Sequence, residues 1–282
     1  MHKASKWAKQ IIELQDSEGK WGWFHSLSQF YDSPITTEQA LRRLKYLGYT
    51  IEDECIRKAV SYMNACLIGE KEIPDRREKL HNWELFTSMI LATWIREFTT
   101  DNTMANQVAG QWAKIITHAF SQGYYNHDNY VAAYEKIMGM SPRGGRFVDF
   151  VSFYQISLVR GCLDKKTEEA MFDYLLNKED GMYYIYDRRI KDLPTDFESK
   201  QASRYLAAIE ILADFEQAKP KLQFVADWLN DNKNENGKWD MGKTVNDKLY
   251  FPYSDDWRKR EVREADCTER IAKILEKLEV NS

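Results

Sequence analysis

Cysteine is scarce in this chain, and its few copies do not pair. Cys55, Cys66, Cys162 and Cys267 are the only four among 282 residues, and they form no C-x-x-C pair. Cys55 and Cys66 fall eleven residues apart on one predicted helix, which puts them on a shared face but about 16 Å apart along the axis. That is beyond disulfide reach, so reduced, buried thiols are expected. Proline (6) and glycine (13) are also few, while charged residues make up 30% and hydrophobic residues 43%. This balance excludes a disordered chain and points to a folded, helix-rich one. No run of about 18 apolar residues occurs, and "MHKASKWAKQII" lacks the apolar core of a secretory leader, so a cytoplasmic protein without a transmembrane segment is expected. A net charge of −4 gives no general attraction to nucleic acid. Small molecules or other proteins are the expected partners.

What is present is helical periodicity from end to end. "SKWAKQIIELQ" (5–15) places Trp7, Ile11, Ile12 and Leu14 near one face, and "TTEQALRRLKYLGY" (36–49) carries Ala40, Leu41, Leu44 and Leu47 before Gly48, a natural C-cap. Further helices are predicted at 52–67, 82–98, 103–120, 128–139, 148–161, 165–177, 197–215, 219–231 and 260–279. The one β-like run, "MYYIY" at 182–186, is too short and isolated to change the class.

A glycine followed two residues later by Trp or Tyr recurs at Gly19/Trp21, Gly123/Tyr125, Gly181/Tyr183 and Gly237/Trp239, at intervals of 104, 58 and 56 residues. If the first interval holds two units, with a diverged seam near Gly69, the period is roughly 52 to 58, the length of two helices and their loops. Helix entries follow each seam: "PITTEQAL", "LHNWELF", "RFVDFVSF", "PTDFESK", and the region from "YSDDW" to "READCTER". Helix hairpins repeated in this way bury one another's apolar faces and can close into two concentric rings.

The segments "WAKQIIELQDSEGKWGW" and "FVADWLNDNKNENGKWDMG" resemble the QW repeat of the terpenoid cyclase and protein prenyltransferase superfamily. The first copy has Gln15, Gly19 and Trp21; the second has Gly237 and Trp239, with Asn232 or Asn234 where glutamine is expected. On physical grounds the side-chain amide would satisfy carbonyls at a helix end and the indole would cover the seam between hairpins. The resemblance implies an all-α fold, an α/α toroid of five or six helical hairpins in one domain spanning 1–282. It also implies a central cavity for an isoprenoid or other elongated apolar ligand.

The superfamily's chemistry is only partly matched. Cyclases protonate their substrate from a D-x-D-D motif, which is absent; "YSDDW" supplies Asp255 and Asp256 but has Tyr253 in the leading place. Prenyltransferases hold zinc through Asp, a Cys two residues on, and a distant His. Asp149 stands in the aspartate place, Val151 in the cysteine place, and no metal or other cofactor is expected. At the predicted inner-helix entries, Asp196, Glu198, Asp255 and Asp256 are the candidate catalytic acids or bases. His81, Trp83, Glu84, Asp149, Tyr154, Arg204 and Trp257 are the candidate ligand-binding groups. Helix capping and first-turn dipole stabilisation compete as explanations for Asp149, Asp196 and Glu84.

Arginines cluster near the same loops, at Arg76/Arg77, Arg143/Arg146, Arg188/Arg189 and Arg258/Arg260, interleaved with acids that favour rim salt bridges over a phosphate site. Tyr124, Tyr125, Tyr130, Tyr183, Tyr184, Tyr186 and Trp257 would suit an apolar pocket or a sugar-stacking one. Two alternatives therefore stay open. One is a carbohydrate-active (α/α) barrel using paired carboxylates; the other is a non-enzymatic scaffold for a protein partner.

Overall fold

The computed structural model describes residues 2–25, 34–144 and 147–278. Within them lie twelve α-helices and one 3-10 turn, and no strand among the described residues. The helices are α1 (Lys6–Glu13), α2 (Thr37–Tyr46), α3 (Glu54–Leu67), α4 (Trp83–Arg96), α5 (Thr103–Ala119), α6 (His127–Met138), α7 (Phe153–Leu158), α8 (Lys165–Asn177), α9 (Lys200–Leu212), α10 (Ala218–Lys221), α11 (Gln223–Asp231) and α12 (Arg260–Leu278). Each of the eleven expected segments holds a helix, and the one at 219–231 is divided at Leu222 into α10 and α11. The 182–186 run makes only isolated bridges, Met182 to Tyr186 and Tyr183 to Ser152. No described helix is long and apolar enough to cross a membrane.

The chain packs as two compact units, Met1–Gln111 with Lys248–Asp255, and Trp112–Asp247 with Asp256–Ser282. In the first, α2 begins at a capping box in which Thr36 and Gln39 each bond the other's backbone N–H. It ends in a Schellman turn, with Tyr49 N donating to Leu44 O and Gly48 N to Lys45 O. Helix α3 packs on α4, whose second half is buried from Met89 to Ile95. The returning segment seals the start of α1: Asp255 Oδ1 accepts from Lys6 N at 2.9 Å, and Ser254 O from the Trp7 indole at 3.2 Å.

In the second unit α7 packs on α9 and α11 on α12. Trp112, Tyr134 and Phe147 form an aromatic core there, with Trp112 stacked 6.0 Å from Phe147.

One loop geometry appears in both units. In the first, Asp16 N donates to Lys20 O and Gly19 N to Asp16 O, and Asp16 Oδ1 gathers the N–H groups of Glu18, Gly19 and Lys20. In the second, Asn234 N donates to Lys238 O and Gly237 N to Asn234 O, and Asn234 Oδ1 gathers those of Asn236 and Lys238. Each indole then reaches back ten residues to a carbonyl in the last turn of the preceding helix, Trp21 to Ile11 at 2.7 Å and Trp239 to Leu229 at 2.6 Å. Each tryptophan's backbone N–H docks on a threonine of the next long helix, Thr37 of α2 and Thr268 of α12.

The roles of the side chains differ from the expectation. The indole satisfies the helix-end carbonyl, while the Gln15 amide donates to Gly19 O and across to Cys55 O at the start of α3. Asn234 matches Asp16, not Gln15. In the position of Gln15 stands Lys233, whose ammonium lies 5.0 Å over the Trp239 ring. The glycines of the other two seams keep a positive φ, 84° at Gly123 and 61° at Gly181. Their aromatics do otherwise: Tyr125 stacks on Tyr174 at 4.2 Å, and Tyr183 is exposed.

All four cysteines are free thiols. Burial pushes Cys267 up to about 12. A thiol-reactive dye under native conditions is expected to label the half-buried Cys66 and Cys162 and to spare the buried Cys55 and Cys267 until the protein is unfolded. Labelling of Cys267 as fast as Cys162 would contradict this burial.

Candidate functional site

The four expected catalytic acids are all exposed. Asp196 Oδ1 accepts from Glu198 N at 2.9 Å, an Asx-type turn ahead of α9. Glu198 lies against Gly242, and its carbonyl accepts from Thr244 Oγ1. Asp255 caps α1, as described, and Asp256 pairs with Lys259 at 2.7 Å. Asp255 belongs to the first unit and Asp256 to the second.

Among the expected binding groups, Glu84 is exposed and pairs with Arg77, while Arg204 is exposed. His81, Tyr154 and Trp257 are buried. Arg189 pairs with Glu179 and Arg260 with Glu264, as expected of rim salt bridges; Arg146 lies outside the described residues.

Neither Asp149 nor Asp196 is the helix cap that the capping explanation requires. The caps are Ser152 for α7 and Ser199 for α9, each accepting a helix-start N–H. The aspartates sit three residues earlier in the shared pattern Asp149-Phe150-Val151-Ser152 and Asp196-Phe197-Glu198-Ser199. Each bonds the N–H two residues on, at 2.8 Å to Val151 and 2.9 Å to Glu198. Asn82 caps α4, and Glu84 stands in its first turn, where a carboxylate suits the helix dipole as expected.

The first unit buries Glu38 beside His25, with His81 on the far side of the Phe86 ring from His25. Glu38, in the first turn of α2, is 8% exposed. Its Oε2 lies 2.5 Å from His25 Nδ1, and its Oε1 accepts the Trp94 indole N–H at 2.6 Å. Burial alone would push the Glu38 carboxyl up; the His25 contact, the Trp94 hydrogen bond and the charge of Arg42 outweigh it and hold the group below its ordinary 4.5. The carboxylate is thus ionised at neutral pH, and His25 Nδ1 carries the proton between them.

Asp75 fixes the loop before His25 by accepting from Phe24 N at 2.6 Å and His25 N at 3.0 Å. Phe86 stands between the two histidines, 5.2 Å from His25 and 4.6 Å from His81, with Trp83 beyond at 5.8 Å. Arg42 lies over the Trp94 ring at 5.4 Å. The Glu38–His25 contact is therefore bordered by the rings of Phe86 and Trp94, apolar surroundings in which a carboxylate and an imidazole can share a proton.

The chain matches no family model, no curated protein and no solved structure.

The chain contains its own control for the Glu38 network. Thr268 receives the Trp239 turn as Thr37 receives the Trp21 turn, and each threonine is followed by a glutamate. Glu269, the counterpart of Glu38, has a 31% exposed side chain paired with Lys273 at 2.6 Å. Burial of Glu38 is thus no requirement of the turn. It is specific to the Glu38 copy of the turn.

A second cluster surrounds Asp149 in the second unit. Lys178 Nζ lies 3.3 Å from Asp149 and 3.5 Å from Asp180, at a cavity of about 160 Å³ lined also by Ser152, Gly181 and Tyr183. Tyr183 and Tyr184 pack at 4.1 Å, and Tyr184 meets Tyr154 edge-on at 5.3 Å. On the far side of Asp149, Tyr174 is pushed up to about 12 by burial and by the charges of Asp149 and Asp180. Among the described residues no group of three metal-ligating side chains converges.

Proposed function

We propose that the chain is an α/α toroid similar to the terpenoid cyclases and prenyltransferases, and that it binds an isoprenoid or comparable elongated apolar ligand. Glu38 and His25 are its acid–base pair. The architectural part is supported by the matched turns, in which each indole closes the preceding helix and each Trp N–H docks on the next. The chemical part rests on one observation: a buried, ionised Glu38 held by His25 and Trp94 beside Phe86 and His81. Asp196, Glu198, Asp255 and Asp256 are less suited: all four are exposed, and Asp255 and Asp256 already hold Lys6 N and the Lys259 ammonium.

Native mass spectrometry during titration with farnesyl diphosphate, squalene and an oligosaccharide panel tests the proposal. One bound isoprenoid per chain is expected, with Glu38→Gln retaining binding and losing turnover of whichever isoprenoid the parent converts. Silence toward both isoprenoids would remove the proposal. Binding of sugars alone would favour a second reading, carbohydrate recognition at the exposed Tyr183 and Tyr184 beside Asp149 and Asp180.

A further inference from the structure

A groove in the second unit, sharing no lining residue with the cavity at Asp149, has a charge pattern of its own. Helices α5 and α6 are joined by a short turn, and their facing stripes enclose about 430 Å³. Lys114, His118 and Ser121 on or just after α5 recur at helical spacing, as do Asn129, Ala132/Ala133 and Lys136/Ile137 on α6. The stripes span seven residues, roughly 11 Å. Because the helices run in opposite senses from their turn, Ser121 and Asn129 mark the turn end, where Asn129 Nδ2 donates to Ser121 Oγ at 3.2 Å. Lys114 and Lys136 mark the other end. Ala132, Ala133 and Ile137 supply the apolar floor.

Three basic side chains line this groove and no acid does. Lys114, His118 and Lys136 have no acidic partner among the described residues. Glu135, the acid next to Lys136, stands outside the lining and is engaged by Ser141. Both lysines are exposed and line the same groove, so an anion bound there would meet ammonium groups for which no lining acid competes. The Ser121–Asn129 bond across the opposite end limits the occupant to a small molecule rather than a peptide running through.

We propose that the α5–α6 groove binds a small anionic amphiphile. Its carboxylate or phosphate lies between Lys114 and Lys136, and its short apolar body lies on Ala132, Ala133 and Ile137. This site is separate from the Glu38 network and does not depend on it.

Calorimetric titration of the full chain with octyl phosphate, octanoate and octanol tests the assignment. Saturable one-to-one binding of at least one anion is expected, with none of octanol; which anion binds tells phosphate from carboxylate. The double variant Lys114→Ala/Lys136→Ala is expected to weaken that binding at least about tenfold. Ala132→Glu, at an exposed position, is expected to abolish it by placing a charge in the groove. Both variants change exposed side chains, and an unchanged circular dichroism melt would confirm their fold. In NMR spectra the methyl signals of Ala132, Ala133 and Ile137 should shift with the same saturation. No saturable binding of either anion, or affinity unchanged in both variants, would overturn the proposal, as would binding of an acidic peptide in place of the amphiphiles.

Discussion

Replacing Gly19 by alanine is expected to lower unfolding stability by about 3 to 5 kcal/mol, whereas the same change at Gly237 costs about 1 kcal/mol. The two glycines occupy the same place in equivalent turns, and both have positive φ, +100° and +69°. At either position an alanine pays for a left-handed backbone, on the order of 1 to 2 kcal/mol. The surroundings separate them. A Cβ on Gly19 would sit 2.5 Å from the carbonyl oxygen of Lys58 and 2.6 Å from its carbonyl carbon, with Ala59 N at 3.1 Å.

These are backbone atoms of α3, so no rotamer change relieves the overlap. Moving α3 away would stretch the Gln15 bond to Cys55 O on that helix. A Cβ on Gly237 meets nothing within 4 Å. Urea unfolding of the two variants side by side gives the measurement. Equal losses would mean that backbone conformation alone governs these turns and that the α1 turn does not press on α3.

That asymmetry shows where sequence reading succeeds and where it stops. Helix positions were legible because an apolar stripe with a 3.6-residue period is written in the chain, and the Gly–Trp pairs marked the two equivalent turns. Exchange of roles within the turn was not legible. Either an amide or an indole N–H can satisfy a helix-end carbonyl, and only the fold decides that Trp21 takes Ile11 while Gln15 reaches Cys55. Helix α7 was read as 148–161 and runs Phe153–Leu158, because the Asp149 turn and the Ser152 cap consume its expected first turn and Gly161, at φ +69°, follows its end.

Of the residues around Glu38, His81 was already a candidate because it stands at a predicted helix entry, and it lies across Phe86 from His25. Glu38 was missed because an acid in the first turn of a capping-box helix is already explained by the helix dipole. Its partner His25 is thirteen residues away in a loop without regular period. The signal that would have exposed it is internal: Thr37-Glu38 and Thr268-Glu269 follow equivalent turns, yet only the first pair has a histidine just after its turn.

Glu38→Ala is expected to cost about 3 kcal/mol at neutral pH, and Glu38→Gln about 1 kcal/mol. Alanine removes the acceptor of both the Trp94 indole and His25 Nδ1 and leaves a void in a buried site. Glutamine keeps an acceptor oxygen and the volume but gives up the charge. The dependence on pH distinguishes an ionised Glu38 from a neutral one. A carboxyl whose folded value is lowered from 4.5 contributes stability that is fully present above the unfolded value and is lost as pH falls through the lower folded value.

The gap between wild type and Glu38→Gln should therefore shrink as pH falls from about 5 to about 3. Thermal unfolding across that range reads it directly. A gap that widened as pH falls below about 5, or that stayed unchanged down to about pH 3, would show that the folded state does not hold Glu38 below its ordinary value. Neither result is compatible with a carboxylate poised for proton transfer, and either would withdraw the chemical half of the proposed function while leaving the matched turns, and the architecture they support, untouched.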